Sequence, residues 1–291
     1  MQLPSFTIKQ LLEAGVHLGH KTSRWNPKMS KFIFGSKNSI HIIDLVQTLE
    51  MTNAALIQIH KSISINGKIL FVSTKKQASE AIAKLAKDTS QYYVNYRWLG
   101  GMLTNWKTIS NSIKRYKKLT IDLKKENTGF TKKENLKMGI QRDKLERSLG
   151  GIAEMKSLPN LIFIFDTNVE DLAVKEALRL NIPIIAIVDT NSDPTGIDFP
   201  IPGNDDARRA INLYCDLVKQ TILDAQKNIP QIEAESFKKE DKKIEEKNPK
   251  DLSKAKTVKT EKKKLDKVET VRKISKSFLS KVKSLASKKT K

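Results

Sequence analysis

Apolar residues fall into two alternating patterns along this chain. Short runs, Lys68-Ile69-Leu70-Phe71-Val72, Tyr92-Tyr93-Val94, Leu161-Ile162-Phe163-Ile164-Phe165 and Pro183-Ile184-Ile185-Ala186-Ile187-Val188, read as buried strands. Between them, apolar positions recur three and four residues apart. Ala78, Ile82 and Leu85 form one such stripe, and another helix is expected from about Val169 to Leu180. A short run, Ile197-Asp198-Phe199, leads through Pro-Gly to a last helix expected from about Asp205 to Asn228. Near-continuous apolar strands between amphipathic helices imply a parallel sheet covered on both faces. With right-handed crossovers this becomes an α/β, flavodoxin-like doubly wound sheet.

The alternation has a prelude and an interruption. The prelude is a short helix, roughly Ile8 to Ala14, then an irregular loop and two β-like runs, Lys31–Phe34 and Ile40–Ile43. Gly35-Ser36-Lys37-Asn38 offers the turn chemistry of a hairpin between them. Asp44 can cap a helix bearing Leu45, Leu49, Leu56 and Ile59, and Ser73 or Thr74 can cap the next. The interruption runs from Trp106 to Met155 and carries no strand signal. Trp106, Ile109, Ile113, Tyr116, Leu119 and Leu123 keep a helical period, and Asn127-Thr128-Gly129 breaks it. Thr131-Lys132-Lys133-Glu134 reads as a capping box opening a second helix with Leu136, Ile140, Leu145, Leu149 and Ile152. Two such stripes predict an inserted antiparallel helical hairpin; basic outward positions favour a projecting arm over a plain pair of domain helices.

Four parts follow. Residues 1–104 hold the N-terminal segment and the first half of the α/β domain. Residues 105–157 form the inserted hairpin, and 158–229 the second half of the domain. Residues 230–291 are a lysine-rich tail, expected to be largely disordered because Lys, Glu, Ser and Asp dominate and aromatics are few. Within it Leu265, Val268, Val271, Ile274, Phe278, Val282 and Leu285 keep a helical period, which fits a basic helix forming on a partner as well as a solvated tail.

Charge changes the picture more than composition does. The formal net charge is +22 over 291 residues, and such an excess favours a polyanionic partner. Residues 231–291 hold 21 Lys/Arg against 10 Asp/Glu, so the tail carries +11, half the total. Lysine far outnumbers arginine, which suits phosphate neutralisation better than bidentate base reading. Membrane attachment would also explain basicity, but no apolar run approaches the roughly 20 residues of a spanning helix, and the N-terminus lacks a signal-peptide core. The single Cys215 excludes an internal disulfide framework. It shares a helical stripe with Ile211, Val218 and Ile222, as a buried, inert thiol would. A soluble, reducing compartment is expected.

Candidate chemistry concentrates in Gly15–Met29, where His17, His20, Lys21, Arg24, Trp25 and Lys28 surround an Asn26-Pro27 break. Cations beside a flat aromatic on irregular backbone suit phosphates and splayed bases. A solvated loop with a half-buried Trp is the plainer reading. At the expected strand ends, Asp166-Thr167-Asn168 and Asp189-Thr190-Asn191-Ser192-Asp193 could hold Mg²⁺ in an enzyme, or simply cap helices and fix turns. His17 and His20, with Asp189 or Asp205, form only a weak metal-ligand pattern, and structural histidines with hydrogen-bond partners explain them better. There is no Walker-type loop and no G-x-G-x-x-G after the first strand, and Gly100-Gly101 and Gly150-Gly151 fit no phosphate cradle. No catalytic residue, metal or cofactor is expected.

The Gly15–Met29 run resembles the N-terminal signature of the bacterial small-ribosomal-subunit protein two family. Further blocks look like that family's, in its order: Ile42-Ile43-Asp44-Leu45, Arg97-Trp98-Leu99-Gly100-Gly101-Met102-Leu103-Thr104-Asn105 and Leu149-Gly150-Gly151-Ile152. Pro159 through Asp166 and Asp189-Thr190-Asn191-Ser192-Asp193-Pro194 continue the series. Together they span residues 5–228, while the extension beyond about 230 departs from the family's common core. The resemblance implies a flavodoxin-like domain with an inserted coiled-coil hairpin and no catalytic activity. It also implies a cytoplasmic place on the solvent side of the small ribosomal subunit, where head meets body. The partners it implies are ribosomal RNA and neighbouring small-subunit proteins, including the large protein that captures messenger RNA. In that setting Lys21, Arg24, Lys28, Lys31 and Lys37 are candidate phosphate contacts, with Trp25 and Asn26 beside them. Arg97 and Trp98 repeat the pairing at the root of the arm, and Lys107, Lys114, Arg115, Lys117 and Lys118 extend it. Two rivals stay open on the residues alone: a free-standing RNA chaperone acting through the tail, and an Mg-dependent α/β enzyme using Asp166 and Asp189.

Overall fold

The computed structural model describes residues 3–124 and 131–245. The chain divides into two compact units, Met1–Pro230 and Gln231–Lys291. The helical stripe expected between Leu265 and Leu285, and the break at Asn127-Thr128-Gly129, lie outside the described residues.

Five parallel strands form the main sheet of the first unit: β4 (Ile69–Val72), β5 (Tyr92–Val94), β6 (Leu161–Ile164), β7 (Ile184–Val188) and β8 (Phe199–Pro202). Their spatial order is β5-β4-β6-β7-β8. The chain leaves β5 at one edge, passes β4 and resumes on its other side with β6, the 2-1-3-4-5 order of flavodoxin-like sheets. Register is in step across the centre, with Phe71 opposite Phe163 and Phe163 opposite Ile185. Strand alternation divides the core in two. Ile69, Phe71, Phe163 and Ile185 point to the face covered by Leu56 and Ile59 of α2 (Leu45–Ser64), Ile82 of α3 (Lys76–Asp88) and Ile211 and Val218 of α7 (Arg208–Glu245). Leu70, Val72, Ile162 and Ile184 point the other way, to Ala173 and Ala177 of α6 (Asp171–Arg179). Each fully buried Ile or Phe contributes about 1.5–3 kcal/mol, so both faces are strongly specified.

That second face also anchors the segments that carry the candidate residues. Ile109 and Ile113 of α4 (Trp106–Lys124) pack there, as do Leu149 of α5 (Lys132–Leu149) and Ile152 just beyond it. So do Trp98, Met102 and Leu103, and Met29 and Phe32 from the N-terminal segment. Helices α4 and α5 contact each other, with Arg115 Nη2 donating to Gln141 Oε1 at 3.2 Å. The capping box at Thr131 and Glu134 is formed as the sequence implies. Gly151 has no freedom to change, because a Cβ there would lie 2.0 Å from the Tyr93 carbonyl oxygen.

Before the sheet come α1 (Ile8–Glu13) and a small antiparallel sheet of order β1-β3-β2, built from β1 (Leu18–Lys21), β2 (Ile33–Lys37) and β3 (Ile40–Ile43). Three local readings need correction. The hairpin turn is at Asn38-Ser39, both left-handed (φ 51° and 60°), rather than at Gly35–Asn38. Such a turn matches the twist of its strands, so β2 extends through Lys37. Helix α3 takes neither Ser73 nor Thr74 as cap; its N-cap is Lys75, without a side-chain hydrogen bond, and Thr74 turns both its N–H, at 2.7 Å, and its side chain to Glu170 instead. Finally, α7 runs to Glu245, well past Asn228.

Candidate nucleic-acid interface

The residues that follow β7 and β8 meet the N-terminal segment along the carboxyl edge of the sheet. In sheets of this order, ligands bind beyond the carboxyl ends of the strands at the switch between β4 and β6. Here the protein's own side chains fill that position. Lys75 Nζ, just beyond β4, lies 2.7 Å from Asp166 Oδ2, 3.0 Å from Asp205 Oδ1 and 2.8 Å from Asp206 Oδ1. Burial works against the ammonium charge, but the three carboxylates outweigh it and hold the Lys75 pKa above its usual range. Burial, with Asp166 and Asp189 nearby, pushes Asp205 upward. Asp166 spends its other oxygen on the Asn168 N–H at 2.7 Å, as a turn-fixing residue does. Among the described residues no group of three His, Cys, Asp or Glu is placed to hold a metal ion.

The N-terminal segment is fastened to this edge. His20 Nδ1 is 2.8 Å from Asp189 Oδ2, and Nε2 is 3.4 Å from Asp206 Oδ2. The Asp189 hydrogen bond raises the His20 pKa above its ordinary 6.5 against the opposing effect of burial, and the charges of Asp189, Asp205 and Asp206 add to the rise. Thr190 accepts the His20 N–H on Oγ1 at 2.9 Å and the Asn26 N–H on its carbonyl at 2.7 Å. Lys28 Nζ donates to Asp193 Oδ2 at 2.7 Å and to Thr195 Oγ1 at 3.1 Å, holding the Asp193 carboxyl at about 2. Asn204 receives no side-chain help from the histidines; it donates to the Gly15 carbonyl at 3.2 Å. His17 stands apart from the cluster around His20, with Nδ1 buried and without a hydrogen bond.

The fate of the candidate contacts now differs residue by residue. Lys21, Arg24 and Lys37 are exposed, and none forms an ion pair among the described residues. Lys31 is exposed and sits over the Phe32 ring, 4.6 Å from its centroid. Trp25 is 39 % exposed beside His41, and Asn26 caps the turn through the Lys28 N–H. Lys28 is exposed but engaged by Asp193. Lys21 and Arg24, with His20 and Asp206, line a cavity of about 410 Å³.

In the loop between β5 and α4, Arg97 is exposed, whereas Trp98 is buried and donates its indole N–H to Glu176 Oε1 at 3.1 Å. Glu176 is the organiser of this loop. Its carboxylate also accepts from the backbone N–H groups of Gly101, Leu103 and Thr104, and from Thr104 Oγ1, at 2.8–3.1 Å. Burial alone would raise its pKa; these donors prevail and lower it. Gly101, at φ +80°, makes the turn that brings the N–H groups together. Lys107, Lys114, Arg115, Lys117 and Lys118 are exposed along α4. Cys215 is a buried thiol, pushed up to about 12 by burial and Asp216.

Sequence reasoning missed Lys75 and Glu176. Both carried a signal: Glu176 interrupts the small-residue stripe of Ala173 and Ala177, and Lys75 lies three residues beyond the end of a fully apolar strand.

Among proteins of known family, the model described as Ribosomal protein S2 matches residues 11–225. The small ribosomal subunit protein uS2 of Sinorhizobium medicae is 58 % identical over 224 residues, covering 77 % of this chain and 88 % of the relative. That of Bartonella henselae is 60 % identical over the same length, covering 87 % of the relative. The Agrobacterium fabrum protein of the same description is 58 % identical, with 88 % covered.

Proposed function

Since this chain belongs to the ribosomal protein S2 family, we propose that it seats on the small-subunit ribosomal RNA through the exposed cations of its N-terminal segment and arm. It is a structural component of the small ribosomal subunit, cytoplasmic as part of the ribosome, and not an enzyme. The family fits the carboxyl edge described above, where acids and cations satisfy one another.

One observation carries the RNA reading. Among the described residues, most cations in the N-terminal segment stay exposed and without ionic partners, although the segment itself is fastened at His20, Asn26 and Lys28. A rigid display of unpaired charge is what recognition of folded RNA by shape and phosphate position requires. Helices α4 and α5 form the two limbs of a projecting hairpin and extend this charged surface through Lys107, Lys114, Arg115, Lys117 and Lys118. The parts 1–104, 105–157 and 158–229 then act as one docking body, with residues 230–291 as an accessory basic tail. Its neighbours are other small-subunit proteins, including the large messenger-RNA-binding protein, at the junction of head and body.

The test is co-sedimentation with small subunits after a high-salt wash, for the full chain and for residues 1–230. Retention of both supports docking through the first unit. Loss of the truncated form alone moves recognition to the tail.

A further inference from the structure

A groove of about 550 Å³ opens where the loop before Trp98 meets α5. Its walls include Tyr96, Arg97, Leu99, Ile140, Lys144 and Arg147. Tyr96 is 59 % exposed and Ile140 62 %, so an aromatic ring and an aliphatic surface face water together. Among the described residues the side chains of Arg97, Lys144 and Arg147 hold no ion pair. The acid in the wall, Asp143, is already taken by Arg142, whose Nε donates to it at 2.9 Å. The groove therefore presents three free cations around one aromatic ring and a small apolar floor. Its position is fixed, because the adjacent Trp98 is held by Glu176.

We propose that this groove receives one unpaired nucleotide of the small-subunit RNA. The base stacks on Tyr96 over the floor formed by Leu99 and Ile140, and the flanking phosphates meet Arg97, Lys144 and Arg147. Single-stranded bases are commonly held by such stacking, and cations at the rim add the phosphate term. An acidic protein segment is the competing occupant. Three cations around a single ring favour the nucleotide, since a docked helix buries a row of apolar anchors along a groove. This inference rests on the RNA-docking reading above.

Small subunits stripped of the protein are reloaded with the full chain carrying Tyr96, Tyr96→Ala or Tyr96→Phe, and the small-subunit RNA is probed with base-specific reagents. The wild type should protect one unpaired base. Tyr96→Ala should return that base to free reactivity and weaken loading by about five- to a hundredfold, and Tyr96→Phe should behave as wild type. A photoreactive benzoylphenylalanine replacing Tyr96 should crosslink to RNA. If the wild type loads but the probing pattern is the same with Tyr96→Ala, or the crosslink goes to a protein, the nucleotide site is wrong while the docking reading stands. If the wild type does not load at all, both fall.

Discussion

Glu176 and Trp98 are joined by a 3.1 Å hydrogen bond from the indole N–H to a carboxylate oxygen, across 78 residues of sequence. The pair ties α6 to the loop that leads from β5 into α4. Glu176→Ala strands five donors in a buried site and should cost about 3–5 kcal/mol in urea unfolding. Glu176→Gln restores one acceptor but turns an N–H₂ group toward other donors, so it should recover only part of the loss. A cost below about 1 kcal/mol for the alanine variant would show the loop holding itself. Because the Glu176 pKa is lowered in the folded state, its contribution is present above the unfolded value and fades as pH falls through the folded one.

Lys75 neutralises three acids that would otherwise repel one another. Lys75→Met should destabilise the domain by about 3–5 kcal/mol at pH 7. Mild acid should restore part of this in the variant, because protonating Asp205 removes the repulsion. Chemical unfolding at pH 5 and pH 7 distinguishes the cases: a deficit unchanged between the two would exclude the electrostatic explanation.

His20 titrates in the opposite sense to an ordinary surface carboxylate. Its folded pKa is raised, so the native state binds more protons than the unfolded chain. Its stabilisation is full below pH 6.5 and disappears as pH rises through the raised folded value. Asp205, also raised, tilts stability the same way at lower pH. His20→Gln should cost about 1.5–3 kcal/mol at pH 6, the range of a charged hydrogen bond, and flatten the decline above neutrality. Thermal melts from pH 6 to 8.5, with amide exchange at Leu18–Lys21, measure both effects. A variant that keeps the wild-type slope would remove His20 from the argument.

Lys21, Arg24 and Arg97 are the candidate contacts least compromised by internal partners. Replacing all three with Ala should lower affinity for small subunits and make log Kd less steep in log salt by about 2–3, near 0.7–0.9 per lost phosphate contact. Lys28→Ala alone should change the slope little and loosen the N-terminal segment instead. Equal slopes for the triple variant and the wild type would place recognition elsewhere.

The strands and their faces were legible because apolar runs such as Leu161–Ile164 have few other ways to be buried. Helix boundaries such as Asp44 before α2 were legible for a similar reason, since caps are local chemistry. Long-range polar partnerships were not. Trp98 carries the same sequence signal whether it faces RNA or Glu176, and Lys28 the same whether it meets a phosphate or Asp193. In each case the deciding residue lies 78 or 165 positions away, and no periodicity encodes that distance. The site was therefore visible as a surface, but not as a division between side chains that hold it and side chains that serve it.

The fastening of Gly15–Lys28 to Asp189, Thr190, Asp193 and Asn204 sets an order of events at birth. The segment is synthesised first, 165 to 189 residues ahead of its anchors. Until they follow, its cations are loose. A fragment that stops short of Asp189 lacks every one of these anchors, so it cannot hold Gly15–Lys28 in its finished place.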